Sequence, residues 1–404
     1  MSETKPTPLI RRLHVRNFRS HVATDLTLDS VDVLFGPNTA GKSTLLDALW
    51  LLRDCGARGV SNATAKRGHG IGMLWREAAE GEQIQIGVEC DDFRYEIRLG
   101  FVDGRVDDTP GETLTQVSTG EVLMQRKTGM QKVDIKKTGV PGLESTPLRE
   151  PERLSLDVFQ FYHPEMAGIS RLDQAVRNIR YFHCRSFNLY SLRSRGSEAG
   201  TDWRLSDSGH NLWSILRNLQ GRRAADDRYQ TILGYLRRAF PSVDELVLDP
   251  SGPEYVTGSF LEYGSDFEVR PSAAADGLLQ LLLILVAIFG ENRQQSQSIL
   301  LDEPETSLHP WAIFVLCEAV RDAVDHWGRQ VLIASHSPVL LSYFEPSQLI
   351  EITPTRNGAS LRRLSEREDV KDLLDQYAAG ALYMSQLIGE QSSEPMVTVT
   401  STSE

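Results

Sequence analysis

Gly36-Pro37-Asn38-Thr39-Ala40-Gly41-Lys42-Ser43 follows the apolar run Val31–Phe35 and opens a segment with Leu45, Leu46, Leu49 and Leu52 at helical spacing. The pattern G-x-x-x-x-G-K-[ST] between a strand and a helix is a phosphate cradle. Its glycines let backbone N–H groups close around an anion, and the helix N-terminus adds a favourable partial charge. Lys42 is placed to reach β- and γ-phosphates and the Ser43 hydroxyl to ligate Mg²⁺, so residues 36–44, ending at Thr44, form the expected ATP site. Such a cradle needs a sheet behind it. After residue 277 the pattern alternates, with 278–289 helical, 298–301 a buried strand, 311–327 helical and 331–335 a strand. That alternation predicts a mostly parallel sheet flanked by helices.

Two further stretches supply chemistry. Ser298-Ile-Leu-Leu-Asp302-Glu303-Pro304 is an apolar run ending in two carboxylates. Asp302 is placed to hold Mg²⁺, and Glu303 to polarise the attacking water. Val331-Leu-Ile-Ala-Ser335-His336-Ser337 lies one strand-helix-strand crossover further on, and His336 at its C-terminal edge can reach a γ-phosphate or the water.

Upstream, 9–15 and 23–28 read as strands, and residues 82–101 alternate around Asp91-Asp92 as a hairpin. More strand-like pieces follow to residue 135, broken by Gly104, Gly111, Gly120 and Gly129, and 138–153 reads as a loop or linker. Leu212, Ile215, Leu216 and Leu219 make one amphipathic helix, and Tyr229, Ile232, Leu233, Leu236 and Phe240 another, ended by Pro241. The expected division is 9–135 for a nucleotide-binding lobe with an antiparallel β-subdomain, 154–290 for a helical lobe and 291–390 for the rest of the core. Segments 1–8 and 391–404 are expected to be disordered.

The 404 residues are 40% hydrophobic and 24% charged with net charge −12, an ordinary soluble composition that excludes a wholly basic nucleic-acid binder. Cys55, Cys90, Cys184 and Cys317 lack CxxC spacing, which fits reduced thiols in a cytoplasmic protein. The N-terminus has no apolar h-region, and 278–289 is too short to span a bilayer, so no membrane association is expected. Asp134-Ile135-Lys136 has the D-x-K spacing of some metal nucleases, without an acid placed before it. Residues 171–238 carry thirteen arginines, no lysines and six acids, with aromatics interleaved. That balance suits solvated helix faces, a partner-protein surface or nucleic-acid phosphates.

Asn17-Phe18-Arg19-Ser20, GPNTAGKST, LLDEPETSLHP and ASHSP together resemble ABC-type ATPases of the SMC/RecF/OLD group, above all its stand-alone bacterial AAA-family members. Gly209-His210-Asn211-Leu212 and residues 372–380 are similar to further family segments, while nothing after residue 340 resembles a Toprim nuclease. The resemblance implies a P-loop NTPase head of ABC type with an inserted helical lobe, binding ATP and Mg²⁺. It makes Asp302 the Walker B acid, Glu303 the catalytic base, His336 the switch histidine and 305–309 the D-loop, with Arg19 near the nucleotide. It also implies a head-to-tail dimer and a separate nuclease or toxin effector in anti-phage defence. A RecF-like repair ATPase that binds DNA, or a non-hydrolysing ATP-bound scaffold, are the rival roles.

Two residues depart from the family pattern. Thr39 stands where relatives have glycine, a costly choice if the position needs φ > 0. Ala274-Ala275-Asp276-Gly277 stands for the signature motif, with Ala275 in place of its serine, which leaves Gly277 and a helix N-terminus to meet a phosphate.

Overall fold

The structure, a computed structural model, describes residues 9–293 and 295–389; the segments 1–8 and 391–404 expected to be disordered lie outside the described residues. The chain begins with β1 (Arg12–Phe18), β2 (His21–Thr27), β3 (Val31–Phe35), α1 (Lys42–Arg58) and α2 (Val60–Ala65). It continues through β4 (Ile84–Cys90), β5 (Phe93–Leu99), β6 (Phe101–Val102), β7 (Arg105–Val106), β8 (Gly111–Gln116), β9 (Val122–Arg126), β10 (Lys132–Lys136) and β11 (Leu143–Pro147). Helices α3 (Leu156–Tyr162) and α4 (Ala167–Arg177) lead to β12 (Ile179–His183), α5 (Leu189–Ser194), β13 (Ser197–Glu198), α6 (Leu212–Gly221) and α7 (Arg228–Ala239). Then come β14 (Val243–Pro250), β15 (Tyr255–Glu262), β16 (Glu268–Val269), α8 (Asp276–Phe289), β17 (Gln297–Asp302) and α9 (Pro310–Trp327). The described chain closes with β18 (Arg329–Ala334), α10 (Pro338–Leu341), β19 (Leu349–Thr355), β20 (Gly358–Arg363), α11 (Lys371–Leu374) and α12 (Ala379–Met384).

A six-stranded sheet in the order β12-β17-β18-β3-β19-β20 forms the centre, parallel throughout except for β20. Its strands are apolar on both faces because each face has its own core. Val31, Val33 and Phe35 point with Ile299, Leu301, Val331 and Ile333 into a core shared with α6, α7, α8 and α9. The alternate residues Leu34, Leu300, Leu332 and Ala334 point the other way, against Leu45, Leu46 and Leu49 of α1. Helix α1 thus lies between this sheet and an antiparallel eight-stranded one ordered β11-β10-β9-β8-β5-β4-β1-β2. All four cysteines are buried and free. No helix among the described residues is long and apolar enough to cross a membrane.

The structure corrects four readings. The 138–153 segment is no plain linker, because β11 pairs with β10 at the sheet edge. Gly111 begins β8 instead of breaking a strand. The lobe inserted after residue 154 is not purely helical. Its α3 and α4 pack in the N-terminal core, β12 joins the central sheet, and β13, β14, β15 and β16 form a small antiparallel sheet. The first strand also sits three residues later than its apolar start suggested.

One polar cluster pins the antiparallel sheet to the chain that follows it. The side chains of Glu112 and Arg126 are wholly buried and paired at 3.0 Å. Glu112 also accepts the Tyr95 hydroxyl, and the Ser155 amide and hydroxyl at 2.7 Å each. Arg126 donates to the carbonyls of Met130 and Arg153 at 3.0 Å. Every charge in the cluster therefore has a partner, as burial demands.

Candidate nucleotide site

The loop between β3 and α1 fits a phosphate cradle because its backbone could not be built from ordinary residues. Gly36 has φ 140, and a Cβ there would stand 2.1 Å from the Ile352 carbonyl oxygen. Gly41 has φ 105 and is closed in by Ser20 and His21, whose Nε2 lies 3.0 Å from the Gly41 carbonyl. The Asn-Phe-Arg-Ser-His segment thus supports the loop from beneath. Helix α1 has no side-chain N-cap, so its first-turn N–H groups are left for an anion.

Thr39 does adopt the left-handed region, with φ 72. Glu303 and Ser307 at the same sheet edge share that trait at φ 53 and 64, as do Asn17 and Arg19 of the supporting segment at φ 54 and 49. Relief of about 1–2 kcal/mol of left-handed strain should outweigh glycine's entropic cost of about 0.5–1 kcal/mol. Thr39→Gly is therefore expected to raise Tm by a degree or two; an unchanged or lower Tm would show that the threonine side chain itself holds the loop.

His21 is buried, and burial holds its imidazole below the ordinary value of 6.5 despite the Gly41 carbonyl. A depressed folded-state value means that the unfolded chain takes up the proton first. The contribution of His21 is complete above 6.5 and is lost as pH falls below it. Between pH 7.5 and 5.5 the Tm of wild type should drop more than that of His21→Gln; parallel profiles would contradict this.

The central sheet brings the three motifs to one edge. Strand β17 lies between β12 and β18, and β18 pairs with β3, so the ends of all four strands adjoin. The Ser43 hydroxyl donates to Asp302 Oδ1 at 2.9 Å. Lys42 is 7% exposed and donates to the Gly36 and Pro37 carbonyls at 2.9 Å each. Burial lowers its pKa against the pull of Glu303, Asp302 and Glu305. His336 Nδ1 stands 3.5 Å from Glu303 Oε1, close but beyond a good hydrogen bond.

Several residues at this edge were missed from the sequence. Tyr181 donates its hydroxyl to Asp302 Oδ2 at 2.9 Å, and His183 Nδ1 lies 3.3 Å from the same oxygen. That contact raises the His183 pKa, and burial raises that of Tyr181. Arg185 forms an ion pair with Glu303. Glu305 accepts the Ser335 hydroxyl at 2.7 Å and the His336 amide at 3.2 Å, tying the D-loop segment to the strand that carries His336. The spacing of Tyr181, His183 and Arg185, every second residue, was the available signal. Tyr383 contacts the loop from the C-terminal side, its hydroxyl 3.5 Å from the Gly36 carbonyl.

Other expected residues are engaged within the chain. Arg19 pairs with Asp47 of α1 at 3.0 Å, one helical turn beyond Ser43. Gly277, in the first turn of α8, faces its own chain's D-loop, where a Cβ would stand 2.5 Å from the Ser307 carbonyl oxygen. Asp134 and Lys136 are engaged by Ser145 and Glu121 on the antiparallel sheet. Nine of the thirteen arginines in 171–238 form ion pairs within the chain. Most of that positive charge is therefore answered internally, which weakens the case for a nucleic-acid surface there.

The donor set fits Mg²⁺ bound together with a nucleotide. Among the described residues no cluster of three or more acids, histidines or cysteines could hold a metal alone. One hydroxyl and one carboxylate meet at Ser43 and Asp302, the pairing Mg²⁺ uses when phosphates and water complete its shell.

Residues 144–342 match the family described as "AAA domain, putative AbiEii toxin, Type IV TA system", and residues 9–93 match "AAA ATPase domain". The fold is similar to the SmcHead bound to the C-winged helix domain of ScpA, with a TM-score of 0.51 and 12% identity over 90% of this chain and 100% of that one. Similarity also extends to the Pyrococcus furiosus Smc head domain with an extended coiled coil bound to the C-terminal domain of ScpA (TM-score 0.48, 10% identity, 91% and 98% covered). The SMC head domain from Thermotoga maritima aligns with a TM-score of 0.41 and 12% identity over 88% and 98%. No curated protein matches the chain. Fold, motifs and family matches define a P-loop ATPase domain with an ABC-type head. Within that class the fold is similar to that of SMC head domains.

Proposed function

We propose that the chain is a cytoplasmic Mg²⁺-dependent ATPase whose heads pair around ATP and part after hydrolysis. The observation that carries this reading is the Ser43–Asp302 hydrogen bond of 2.9 Å, with Glu303 and His336 at the same sheet edge. Ser43 and Asp302 would hold Mg²⁺, which offsets phosphate charge. Lys42 would turn from the Gly36 and Pro37 carbonyls to the β- and γ-phosphates. Glu303 would take a proton from the attacking water, and His336 would orient that water or the γ-phosphate. Residues 37–41 and Thr44 would surround the phosphates with backbone N–H groups, and Arg19, beside α1, would border the nucleotide.

Head-to-tail pairing would set Gly277 and the start of α8 against the partner's nucleotide. With Ala275 in place of a serine hydroxyl, that contact has only backbone donors, which favours slow turnover. The toxin–antitoxin wording of the family that matches 144–342 supports a role in bacterial defence, in which this ATPase would act with a separate effector. Purified chain should release phosphate from Mg²⁺-ATP, and Lys42→Ala should lose that release. Equal release by both proteins would sink the assignment, and none by wild type would leave the non-hydrolysing scaffold.

A further inference from the structure

Strand β12 ends over the two carboxylates, and its alternation decides what meets them. Tyr181 and His183 reach Asp302, and Arg185, in the 3-10 turn that follows the strand, reaches Glu303. The Glu303 side chain is 17% exposed and its Oε2 is buried, whereas the Arg185 side chain is 53% exposed. A carboxylate oxygen held by a guanidinium is not free to accept a proton from water. The exposed arginine can swing out without opening the core, so the pairing is releasable.

The segment carrying Arg185 is tied at three points to helix α8 and the residues that lead into it. Gln280 of α8 donates to the Cys184 carbonyl at 2.8 Å. Arg193, on α5, donates to the Ala274 carbonyl at 2.7 Å and pairs with Asp276 at 2.5 Å. Residues 184–193 therefore join the carboxylate of Glu303 to the start of α8 through direct contacts.

We infer that Arg185 is a latch on Glu303, released through residues 184–193 when the partner's nucleotide docks at residues 274–277. The latch rests on the proposed function, which supplies the base and the paired heads. It makes Arg185 a positioning residue that keeps an unpaired head silent. A head fires only when its own signature region is engaged.

The test is ATP turnover per chain at saturating ATP over a protein dilution series, for wild type, Arg185→Ala, Arg185→Gln, Arg185→Lys and Glu303→Gln. Wild-type turnover should fall on dilution. Arg185→Ala and Arg185→Gln should hold their rate there, about tenfold above wild type, with KM for ATP unchanged. Arg185→Lys should restore the dilution dependence, and Glu303→Gln combined with Arg185→Ala should be as silent as Glu303→Gln. Arginine variants at or below wild type throughout would overturn the latch alone, and a wild-type rate that does not fall on dilution would overturn it together with the paired-head reading on which it rests. No turnover in any protein would overturn the hydrolysis reading, and the latch with it.

Discussion

Glu303→Gln should lower ATP turnover by about 10²–10⁴-fold, the usual worth of a positioned general base, while leaving ATP bound. The geometry separates the two effects. The Glu303 side chain is paired with Arg185 and lies 3.5 Å from His336, and it acts on Lys42 only through its charge. A neutral amide of the same shape keeps the strand end intact and removes the proton acceptor together with the charge that pairs with Arg185. The check is single-turnover phosphate release beside fluorescent-ATP binding on the same samples. If binding falls together with turnover, Glu303 helps to hold the nucleotide and its assignment as base is wrong.

Arg126→Met should cost about 3–5 kcal/mol, because removing one member of a buried ion pair strands the other charge. Glu112 would keep the Tyr95 and Ser155 donors and lose its counter-charge, while the Arg153 and Met130 carbonyls would lose their donor. The effect lies far from the nucleotide loop, so it should show in denaturant midpoint and protease resistance of the antiparallel sheet before it shows in ATP affinity. A loss under 1 kcal/mol would mean that water reaches the cluster and that the surrounding sheet is looser than its packing indicates.

The parts legible in the sequence are those where chemistry restricts residue type. The phosphate loop needs glycines at fixed places, and the carboxylates and histidine must end buried strands, so β3, β17 and β18 were read within a residue or two. Strand β12 escaped because it carries Arg180, Tyr181 and His183 where a buried parallel strand normally shows Val or Ile. Strand β11 escaped for the opposite reason. Its LESTP sequence is exposed or half-exposed at every position, so no apolar alternation marks it. The internal pairing of the arginine run was not legible because charge counting cannot see distant partners, among them Asp91, Glu291 and Glu318. Thr39 was the reverse case, since a departure from the glycine pattern marked the position where the backbone has φ 72.

The central claim is that ATP brings two heads together. Sedimentation velocity of Glu303→Gln with and without ATP-Mg²⁺ tests it most directly, because that variant should hold ATP without consuming it. The account predicts a shift from monomer to dimer on adding ATP-Mg²⁺, absent when Lys42→Ala is introduced as well. Identical sedimentation with and without nucleotide, under conditions where ATP is shown to be bound, would contradict it.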